Sequence, residues 1–373
     1  MAQFTVLSLD TADAWRAAIE RLRHMDLTVT HDYCQVFEDN GDGQALCITY
    51  EDGLGTVTYP VMRRSITDLP FTSDACLEGF DLSTPYGYGG MYVDSAPGDR
   101  GELLSRFRTL FSDYARDTKT ISEFIRFHPI LENHVGLDGL IDDIRHHNDN
   151  VVIDLRQSPE EMLKECRQSF RSGIRQTERL GLKMEHVAPE DFLDDFIRLY
   201  HKAMKRRQNR GYLNFRPAFF RNLFNHLAEN IHLFVVREKG KLLAAAVILT
   251  SGKTIDYFLA ANERQPRRPY VNHFLLFEVA KWAKESGFQM FHLGGGADTI
   301  QFFKSGFSKS TMPYFIGSHI FDHTAYAALV ESGQRSGKIP DTIPPFFFPA
   351  YRAYLSETSD RALLDMLNSS QST

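Results

Sequence analysis

The sequence predicts an α/β protein of two tandem domains with mixed sheets flanked by helices, because one order of elements occurs twice. Residues 44–66 read as two strands around an Asp-Gly turn, and residues 232–262 read as three strands around Lys-Gly and Ser-Gly turns. A helix follows each group, at 101–116 and at 272–286, and a short strand follows each helix. Hairpins followed by a helix and a strand, twice in one chain, indicate a duplicated domain.

No low-complexity segment or linker separates the two halves. We therefore place the first domain at residues 1–150, the second domain, with added helices, at 151–335, and a proline-punctuated strap and tail at 336–373. We expect the domains to pack tightly around a cleft, so that neither is separable as a soluble fragment. Disorder is expected only at the last residues, which read NSSQST.

Composition is typical of a soluble globular protein of 373 residues, with 43% hydrophobic and 24% charged residues. No apolar run approaches membrane-spanning length and the N-terminus has no signal-peptide layout, so we expect a cytoplasmic protein. The four cysteines are scattered and the histidines show no ligand spacing, which favours reduced core thiols and no metal. A net charge of −6 gives no general attraction to nucleic acid, so phosphate must be bound by local patches.

The stretch 291–307, FHLGGGADTIQFFKSGF, has the strongest chemical signal. It predicts a short strand, a run of Gly294, Gly295 and Gly296, and a brief helix that carries Lys304 among phenylalanines. Glycines let a substrate approach the backbone closely, and an ammonium among aromatic rings is costly unless it meets an anion. Lys304 is therefore the candidate for the positive group of an active site; the alternative is that it caps the helix C-terminus.

Two clusters of cations occur on predicted helices. The first recurs at intervals of three and then four residues, on one helical face, after a capping box at Ser158 and Glu161. Its members are Lys164, Arg167, Arg171, Arg175, Arg179 and Lys183. The second, at Lys202, Lys205, Arg206, Arg207 and Arg210, ends a helix that begins near Asp191. A solvated helix face or a helix C-terminus explains such cations without a ligand, but Gly173 within the first helix indicates close packing, a break or a nearby ligand.

Together with three further motifs, the stretch 291–307 resembles the Fem-type branch of the GNAT-like acyltransferases. The motifs are STPYGYGGMYV (83–93), RSGIRQTERLG (171–181) and YHKAMKRRQNRGY (200–212). This branch includes aminoacyl-tRNA-dependent peptide-bridge enzymes and related acetyltransferase domains. The resemblance covers residues 71–321 and implies two GNAT-like domains and an acyltransferase activity.

The resemblance also implies roles for individual residues. A lysine in the position of Lys304 lies near the reacting ester in Fem-type enzymes, and residues in the positions of Arg206 and Tyr212 contact a phosphorylated acceptor. A planar guanidinium suits a diphosphate because it donates two bonds at once. Substrate-pocket walls are expected from Tyr257, Tyr86 and Tyr88, from the three glycines and from Asp298. For the PYGYGG motif, the alternative is a glycine-rich turn with core tyrosines.

Acyl transfer to an amine needs an activated carbonyl, a positive group or N–H donors for the oxyanion, and a base. The chain has no Gly-x-Ser-x-Gly elbow and no cysteine in a suggestive setting, so we expect direct attack without a covalent enzyme intermediate. His128 is the candidate base, and His292 and Asp298 are weaker candidates. Fem-type enzymes tend to have Asp-Pro where this chain has His128-Pro129, and a histidine at a strand end is also a common structural residue.

The donor is inferred from the loop 263–272, ERQPRRPYVN. It lacks the glycines of a coenzyme A pyrophosphate cradle, and its prolines have no N–H to donate. Arg267 and Arg268 could hold a phosphate through their side chains. Together with the cation cluster, in which Arg171, Arg175 and Arg179 are donor-binding candidates, this favours aminoacyl-tRNA as co-substrate.

The predicted function is therefore the transfer of an aminoacyl group from aminoacyl-tRNA to an amine of a small molecule or peptide, with no tightly bound cofactor. Two alternatives stay open at this point. One is an acyl-CoA-dependent N-acyltransferase that acts on an amine metabolite or a sugar. The other is a non-catalytic module that binds RNA or a nucleotide sugar.

Overall fold

A computed structural model describes residues 2–72, 78–207, 211–264, 270–344 and 347–353. These residues form two compact units. Unit 1 contains the described residues up to His147 and from Tyr314 onward, and unit 2 contains those from Asn148 to Pro313. The sequence assigned all of 151–335 to one domain, whereas residues from Tyr314 onward group with unit 1.

The helices and strands are numbered in chain order. The strands are β1 (Gln3–Ser8), β2 (Gln44–Asp52), β3 (Gly55–Ser65), β4 (Phe80–Ser83), β5 (Tyr92–Ser95), β6 (Thr120–Arg126), β7 (Asp143–Asp154), β8 (Met184–Val187), β9 (Ile231–Glu238), β10 (Lys241–Ser251), β11 (Thr254–Asn262), β12 (Met290–Gly294) and β13 (Thr311–Ile320). The helices are α1 (Ala12–Ile19), α2 (His31–Asn40), α3 (Arg100–Asp117), α4 (Pro159–Glu165), α5 (Gln168–Arg179), α6 (Pro189–Arg206), α7 (Pro217–His226), α8 (Val271–Glu285), α9 (Asp298–Lys304) and α10 (His323–Arg335). No helix among the described residues is long and apolar enough to cross a membrane.

Unit 1 has a mixed sheet in the order β1-β2-β3-β4-β6-β13, with β5 paired to β3. The pair β4–β6 is parallel and the other pairs are antiparallel. Helix α3 lies between β4 and β6 in the chain and buries one apolar face, with Leu103, Leu104, Phe107 and Phe111 fully buried. That spacing forms a single stripe on a helix, so α3 covers the sheet and completes the core of this unit.

A second, smaller core of unit 1 involves the last described residues. Tyr351 is fully buried and its hydroxyl lies 2.6 Å from Ser122 Oγ, while the Arg352 side chain forms an ion pair with Asp81. Residues 347–353 thus pack on the core surface where the sequence predicted a strap. The predicted disordered end, NSSQST, lies outside the described residues.

Unit 2 repeats this plan in the order β7-β12-β11-β10-β9-β8. The pair β11–β12 is parallel, and helix α8 connects the two strands. The predicted hairpins, both predicted helices and the short strands after them are confirmed. In each unit a strand, a helix and a parallel strand follow in that order, so the mixed α/β class and the repeated pattern predicted from the sequence are confirmed. Strand β8 was not predicted, because its four residues lack an apolar alternation.

The prediction that one helix carries the whole first cation cluster is wrong. Helix α4 begins at the predicted capping box of Ser158 and Glu161 but ends at Glu165. Cys166 and Arg167 have extended ψ angles of 144° and 142°, and the chain then starts a new helix, α5. The spacing of the cations persists across the break, which is why the sequence alone suggested a single helix.

Gly173 of α5 packs against Tyr270, the residue before α8. A methyl group at this position would lie 2.1 Å from Cγ of Tyr270, well inside contact distance. Of the three reasons considered for this glycine, close packing is therefore the one that the structure supports.

Replacing Gly173 with alanine should destabilise the protein by roughly 1 to 3 kcal/mol, because overpacking outweighs the gain in helix propensity. Urea unfolding monitored by circular dichroism measures this. Ser172→Ala, at an exposed position of the same helix, is the control and should be neutral or slightly stabilising. A Gly173→Ala protein as stable as the parent would show that Tyr270 moves aside without cost.

Candidate active site

The site in unit 2 lies where two parallel strands separate. The ladder between β11 and β12 pairs only three residues of each strand and ends at Asp256 and His292. Beyond that point β11 continues to Asn262, while β12 ends at Gly294. Phe258 is an extra residue in the pairing of β11 with β10, a bulge that bends the strand at this place. Ligand sites commonly lie at the carboxyl ends of parallel strands that diverge.

The glycine run forms the turn from β12 into α9. Gly294 and Gly296 have φ angles of 73° and 147°, which non-glycine residues rarely adopt. Gly295 is required for another reason, because a methyl group there would lie 2.6 Å from Asn150 Oδ1 and 2.7 Å from the side-chain amide of Asn148. The three glycines thus permit both a sharp turn and close packing on the asparagines of β7.

Lys304 is buried at the end of α9, with 8% of its surface exposed. Its Nζ donates to the carbonyl oxygen of Gly295 at 2.5 Å and lies 5.8 Å from the ring centre of Tyr257. No carboxylate lies within 4 Å of this ammonium among the described residues. Burial lowers the pKa of Lys304 from 10.5 to about 8. The bond to Gly295 means that Nζ reaches back to the glycine turn instead of binding the last carbonyls of its own helix.

The three phenylalanines near Lys304 differ in their surroundings. Phe307 is buried, and Phe303 packs 5.3 Å from it, centre to centre. Phe302, by contrast, is 66% exposed, and the guanidinium of Arg167 lies 3.9 Å from its ring centre. Only two of the three phenylalanines near Lys304 therefore pack in the core.

Tyr257 precedes the bulged residue of β11, and its ring lies near Lys304. Burial raises the pKa of its hydroxyl, while a hydrogen bond to the Asn272 side chain and the charge of Arg207 act in the opposite direction. The structure therefore brings together three of the site candidates, namely Lys304, Tyr257 and the glycine run, and adds Asn272, which sequence reasoning missed.

A hydrogen-bonded chain of three side chains packs against the glycine turn through Asn150. His292 Nδ1 lies 2.7 Å from Asp256 Oδ1, and His292 Nε2 lies 3.2 Å from Asn150 Nδ2. From the sequence, His292 is predicted only as a weaker candidate base, and Asp256 and Asn150 are not predicted. The only signal that could have found the pair is the parallel register of β11 and β12, because 36 residues separate Asp256 from His292 along the chain.

The second cation cluster lies at the end of α6, as predicted. Arg206 is exposed and donates through Nη2 to the carbonyl of Asn262 at 3.0 Å, and Lys202 pairs with Glu263 at 2.7 Å. Tyr212 is 49% exposed, and its ring packs edge-on against Phe215. Arg210 lies outside the described residues.

The predicted donor-binding residues are only partly described. Arg171 donates to the carbonyl of Lys164 at 2.7 Å, whereas Arg175 and Arg179 are exposed and form no ion pair within the described part of the chain. Arg267 and Arg268 lie outside the described residues. Asp298 is exposed in the first turn of α9.

In unit 1, His128 is buried and both of its ring nitrogens have partners. Nε2 lies 3.3 Å from Asp26 Oδ2, and Nδ1 accepts from the backbone N–H of Ile130. Burial raises the pKa of Asp26, but the charge and hydrogen bond of His128, with bonds from Thr28, hold it well below its usual range. These contacts favour the structural role for His128 over that of a base.

Tyr86 and Tyr88 are half-buried in the predicted glycine-rich turn. The carbonyl of Tyr86 accepts from the Tyr33 hydroxyl at 2.7 Å, and burial raises the pKa of the Tyr86 hydroxyl, partly offset by Arg126. The ring of Tyr88 packs edge-on against His128 and Tyr314. Their contact with a substrate stays a prediction.

Comparison with known proteins shows which families the chain is similar to. A family model described as an acetyltransferase (GNAT) domain matches residues 164–305, which run from α4 to just past Lys304. The UDP-N-acetylmuramoylpentapeptide-lysine N(6)-alanyltransferase of Weissella viridescens is 25% identical over 193 residues. That match covers 49% of this chain and 56% of that protein, so the chain spans little more than half of the relative's length.

Solved structures extend the likeness in fold to most of the chain. The crystal structure of FemX superposes with a TM-score of 0.63 at 15% identity and covers 87% of this chain and 99% of that one. The C-terminal domain (DUF2156) of a putative lysylphosphatidylglycerol synthetase from Agrobacterium fabrum gives 0.54 at 15% identity, covering 87% and 95%. In sequence and in fold, the chain is therefore similar to the Fem-type branch of the GNAT-like acyltransferases, as its motifs predicted.

Proposed function

We propose that this protein is an acyltransferase that forms an amide bond by moving an aminoacyl group from aminoacyl-tRNA to an amine. The observation that carries the proposal is Lys304, a buried ammonium with no carboxylate partner among the described residues. Burying such a charge is costly, so its presence here supports a site that binds an anion during function. An oxyanion formed on the ester carbonyl meets this requirement.

The reaction balances without a covalent enzyme intermediate. The amine nitrogen attacks the ester carbonyl carbon, the C–N bond forms, and the negative charge moves to the carbonyl oxygen. The Lys304 ammonium stabilises that charge until the C–O bond to the ribose breaks. The amine loses one proton and the ribose oxygen gains one. His128 has no part in this proposal, because its Nδ1 would have to release the Ile130 N–H to accept a proton.

The acceptor is inferred from unit 2 and from the relative in Weissella viridescens, whose name specifies the lysine N6 of a UDP-linked muramoyl pentapeptide. We propose a primary amine on a phosphorylated carrier as the acceptor of this chain. Arg206 uses one Nη on Asn262 and keeps further N–H donors for a phosphate, and Tyr212 lies half-exposed in the loop that follows. Tyr257 would face the reacting end, since it lies beside Lys304.

Aminoacyl-tRNA is preferred as the donor because of the surface around α5. Arg175 and Arg179 are exposed on one side of this helix without ion pairs in the described part of the chain, as a phosphate-binding surface requires. The sequence of the loop 263–272 lacks the glycines that hold the pyrophosphate of coenzyme A. An acyl-CoA donor is the second candidate.

Parallel incubations test the function. The protein is mixed with UDP-N-acetylmuramoyl pentapeptide containing lysine, and with either alanyl-tRNA or acetyl-CoA, and the product is measured by mass spectrometry. We expect the mass of one alanyl residue to be added with alanyl-tRNA only, and Lys304→Met to abolish most of this signal. Acetylation with acetyl-CoA alone would support the second candidate, and binding of RNA without turnover would support a binding module.

The rate of transfer should fall as the pH rises through about 8, because the Lys304 ammonium loses its proton there. Such a loss of rate cannot result from unfolding driven by the titration of Lys304. Between the folded pKa of about 8 and the ordinary value of 10.5, the unfolded chain binds more protons, so the contribution of Lys304 makes the fold more stable as pH rises. Single-turnover rates over a pH series measure this decrease in rate. The residual activity of Lys304→Met should not show the decrease. The same decrease in that variant would assign the titration to another group.

A further inference from the structure

We propose that Asp256, His292 and Asn150 are positioning residues, a hydrogen-bonded chain that holds the Gly295 turn and so places the Lys304 ammonium at the reacting carbonyl. The inference rests on the proposed function and deepens it. None of the three side chains is required to touch substrate. Their effect is transmitted through the backbone of the glycine run.

The first link joins the two parallel strands at the point where they separate. Asp256 and His292 are partners in the register of β11 and β12, and His292 is 2% exposed. The 2.7 Å distance from Nδ1 to the carboxylate places the imidazole in one orientation. A buried histidine that bonds a carboxylate in this way has its ring and its tautomer fixed together.

The second link joins His292 to β7. Asn150 is fully buried there with its amide nitrogen toward the imidazole, and in this orientation Nδ2 donates and His292 Nε2 accepts. The proton is therefore on Nδ1 and is donated to Asp256. The resulting order, from the Asn150 amide to His292 to the Asp256 carboxylate, has every donor facing an acceptor.

The third link reaches the catalytic turn. Asn150 and Asn148 pack so closely on Gly295 that a methyl group there would collide with both. The carbonyl of the same Gly295 accepts from Lys304 Nζ, and Gln301 of α9 donates to the carbonyl of Asp149 at 2.8 Å. Helix α9 thus contacts residues 148–150 directly through Gln301, and Lys304 contacts them indirectly through Gly295.

Asp256→Asn tests this arrangement with almost no change in shape. An asparagine amide can donate to Nδ1, which moves the imidazole proton to Nε2 and sets it against the Nδ2 donor of Asn150. Asn150 would then shift, and the turn at Gly295 would lose its packing against this residue. Because a displacement of about 1 Å at a catalytic group costs on the order of 100-fold, we expect kcat to fall by roughly 10- to 100-fold with little change in KM.

A readout that does not depend on turnover separates this inference from the proposed function. The ionisation of Lys304 is followed by its reaction with isotope-labelled acetic anhydride over a pH series, with the Lys304 peptide quantified by mass spectrometry. We expect an apparent pKa near 8 in the parent protein and a rise toward 10.5 in Asp256→Asn, because a released turn admits water to the ammonium. Titratable or charged groups on the elements around Lys304 include Asp149, Arg207, Asp256, Tyr257, His273, His292 and Asp298.

The control is Asp195→Asn, which removes an exposed carboxylate of α6 outside this site and should leave both readouts unchanged. His292→Gln is a second variant that breaks the hydrogen-bonded chain, and it should shift the apparent pKa of Lys304 in the same direction. Unchanged labelling of Lys304 in both Asp256→Asn and His292→Gln would overturn the inference, whatever the donor proves to be. Absence of turnover with every donor, together with the expected shift in labelling, would overturn only the proposed function.

Discussion

Replacing Lys304 with methionine should slow acyl transfer by a factor of about 100 to 1,000, because one donor directed at an oxyanion contributes roughly 3 to 4 kcal/mol to catalysis. Methionine keeps most of the side-chain volume, so the packing of Phe303 and Phe307 should persist. Steady-state kinetics with saturating donor and acceptor measure the effect. Acceptor affinity should stay near that of the parent protein.

Thermal stability separates catalysis from structure in this variant. The lowered pKa means that the folded state bears a cost of about 3 kcal/mol for the buried charge at neutral pH, which the variant removes. It also loses the bond to Gly295, which leaves a carbonyl unsatisfied at a cost of about 1 to 3 kcal/mol. The two effects nearly cancel, so the melting temperature should change little.

Lys304→Arg is the matched variant that keeps the charge. Its broader planar head would not occupy the same point beside Gly295, so we expect poor rescue of the rate. A Lys304→Met protein that melts early yet turns over normally would show that the lysine is structural. Full activity in the arginine variant would show that a positive charge suffices without exact placement.

The second large effect concerns donor binding. Replacing Arg171, Arg175 and Arg179 with glutamine should weaken aminoacyl-tRNA binding and reduce its salt dependence. Each phosphate contact contributes about 0.7 to 0.9 to the slope of log affinity against log salt, so three contacts correspond to roughly 2 to 3. Arg171 should contribute least, since its guanidinium already donates to Lys164. Filter binding over a series of salt concentrations measures both quantities.

The control for this experiment is a triple variant with the same change in charge on unit 1. Arg16, Arg21 and Arg116 are exposed there and pair with surface carboxylates, so their replacement by glutamine should leave the slope unchanged. Equal loss of slope in both triple variants would mean that binding follows net charge and not the α5 surface.

The fold was largely predictable from the sequence because its signals are local. Turn residues between apolar runs located β2 and β3, and β9 to β11, and apolar periodicity located α3 and α8. The break between α4 and α5 was missed because Cys166 and Arg167 change only their backbone angles and leave the cation spacing intact.

The site was predictable only where residues lie close in sequence. Gly294 to Gly296 and Lys304 are within one stretch, and the structure brings them together with Tyr257. Asp256, His292 and Asn150 meet through strand pairing over long separations, which no local pattern reveals. The role of His128 depends on Asp26, a partner about one hundred residues away that its own motif does not indicate.

A competition between donors tests the central claim most directly. The protein and a lysine-containing UDP-N-acetylmuramoyl pentapeptide are supplied together with ¹³C-labelled alanyl-tRNA and unlabelled acetyl-CoA, and the modified peptide is analysed by mass spectrometry. The predicted product has a ¹³C-alanyl group in amide linkage on the lysine side chain, formed much more slowly by Lys304→Met. An unlabelled acetyl product, or a labelled product formed equally fast by that variant, would contradict the proposal.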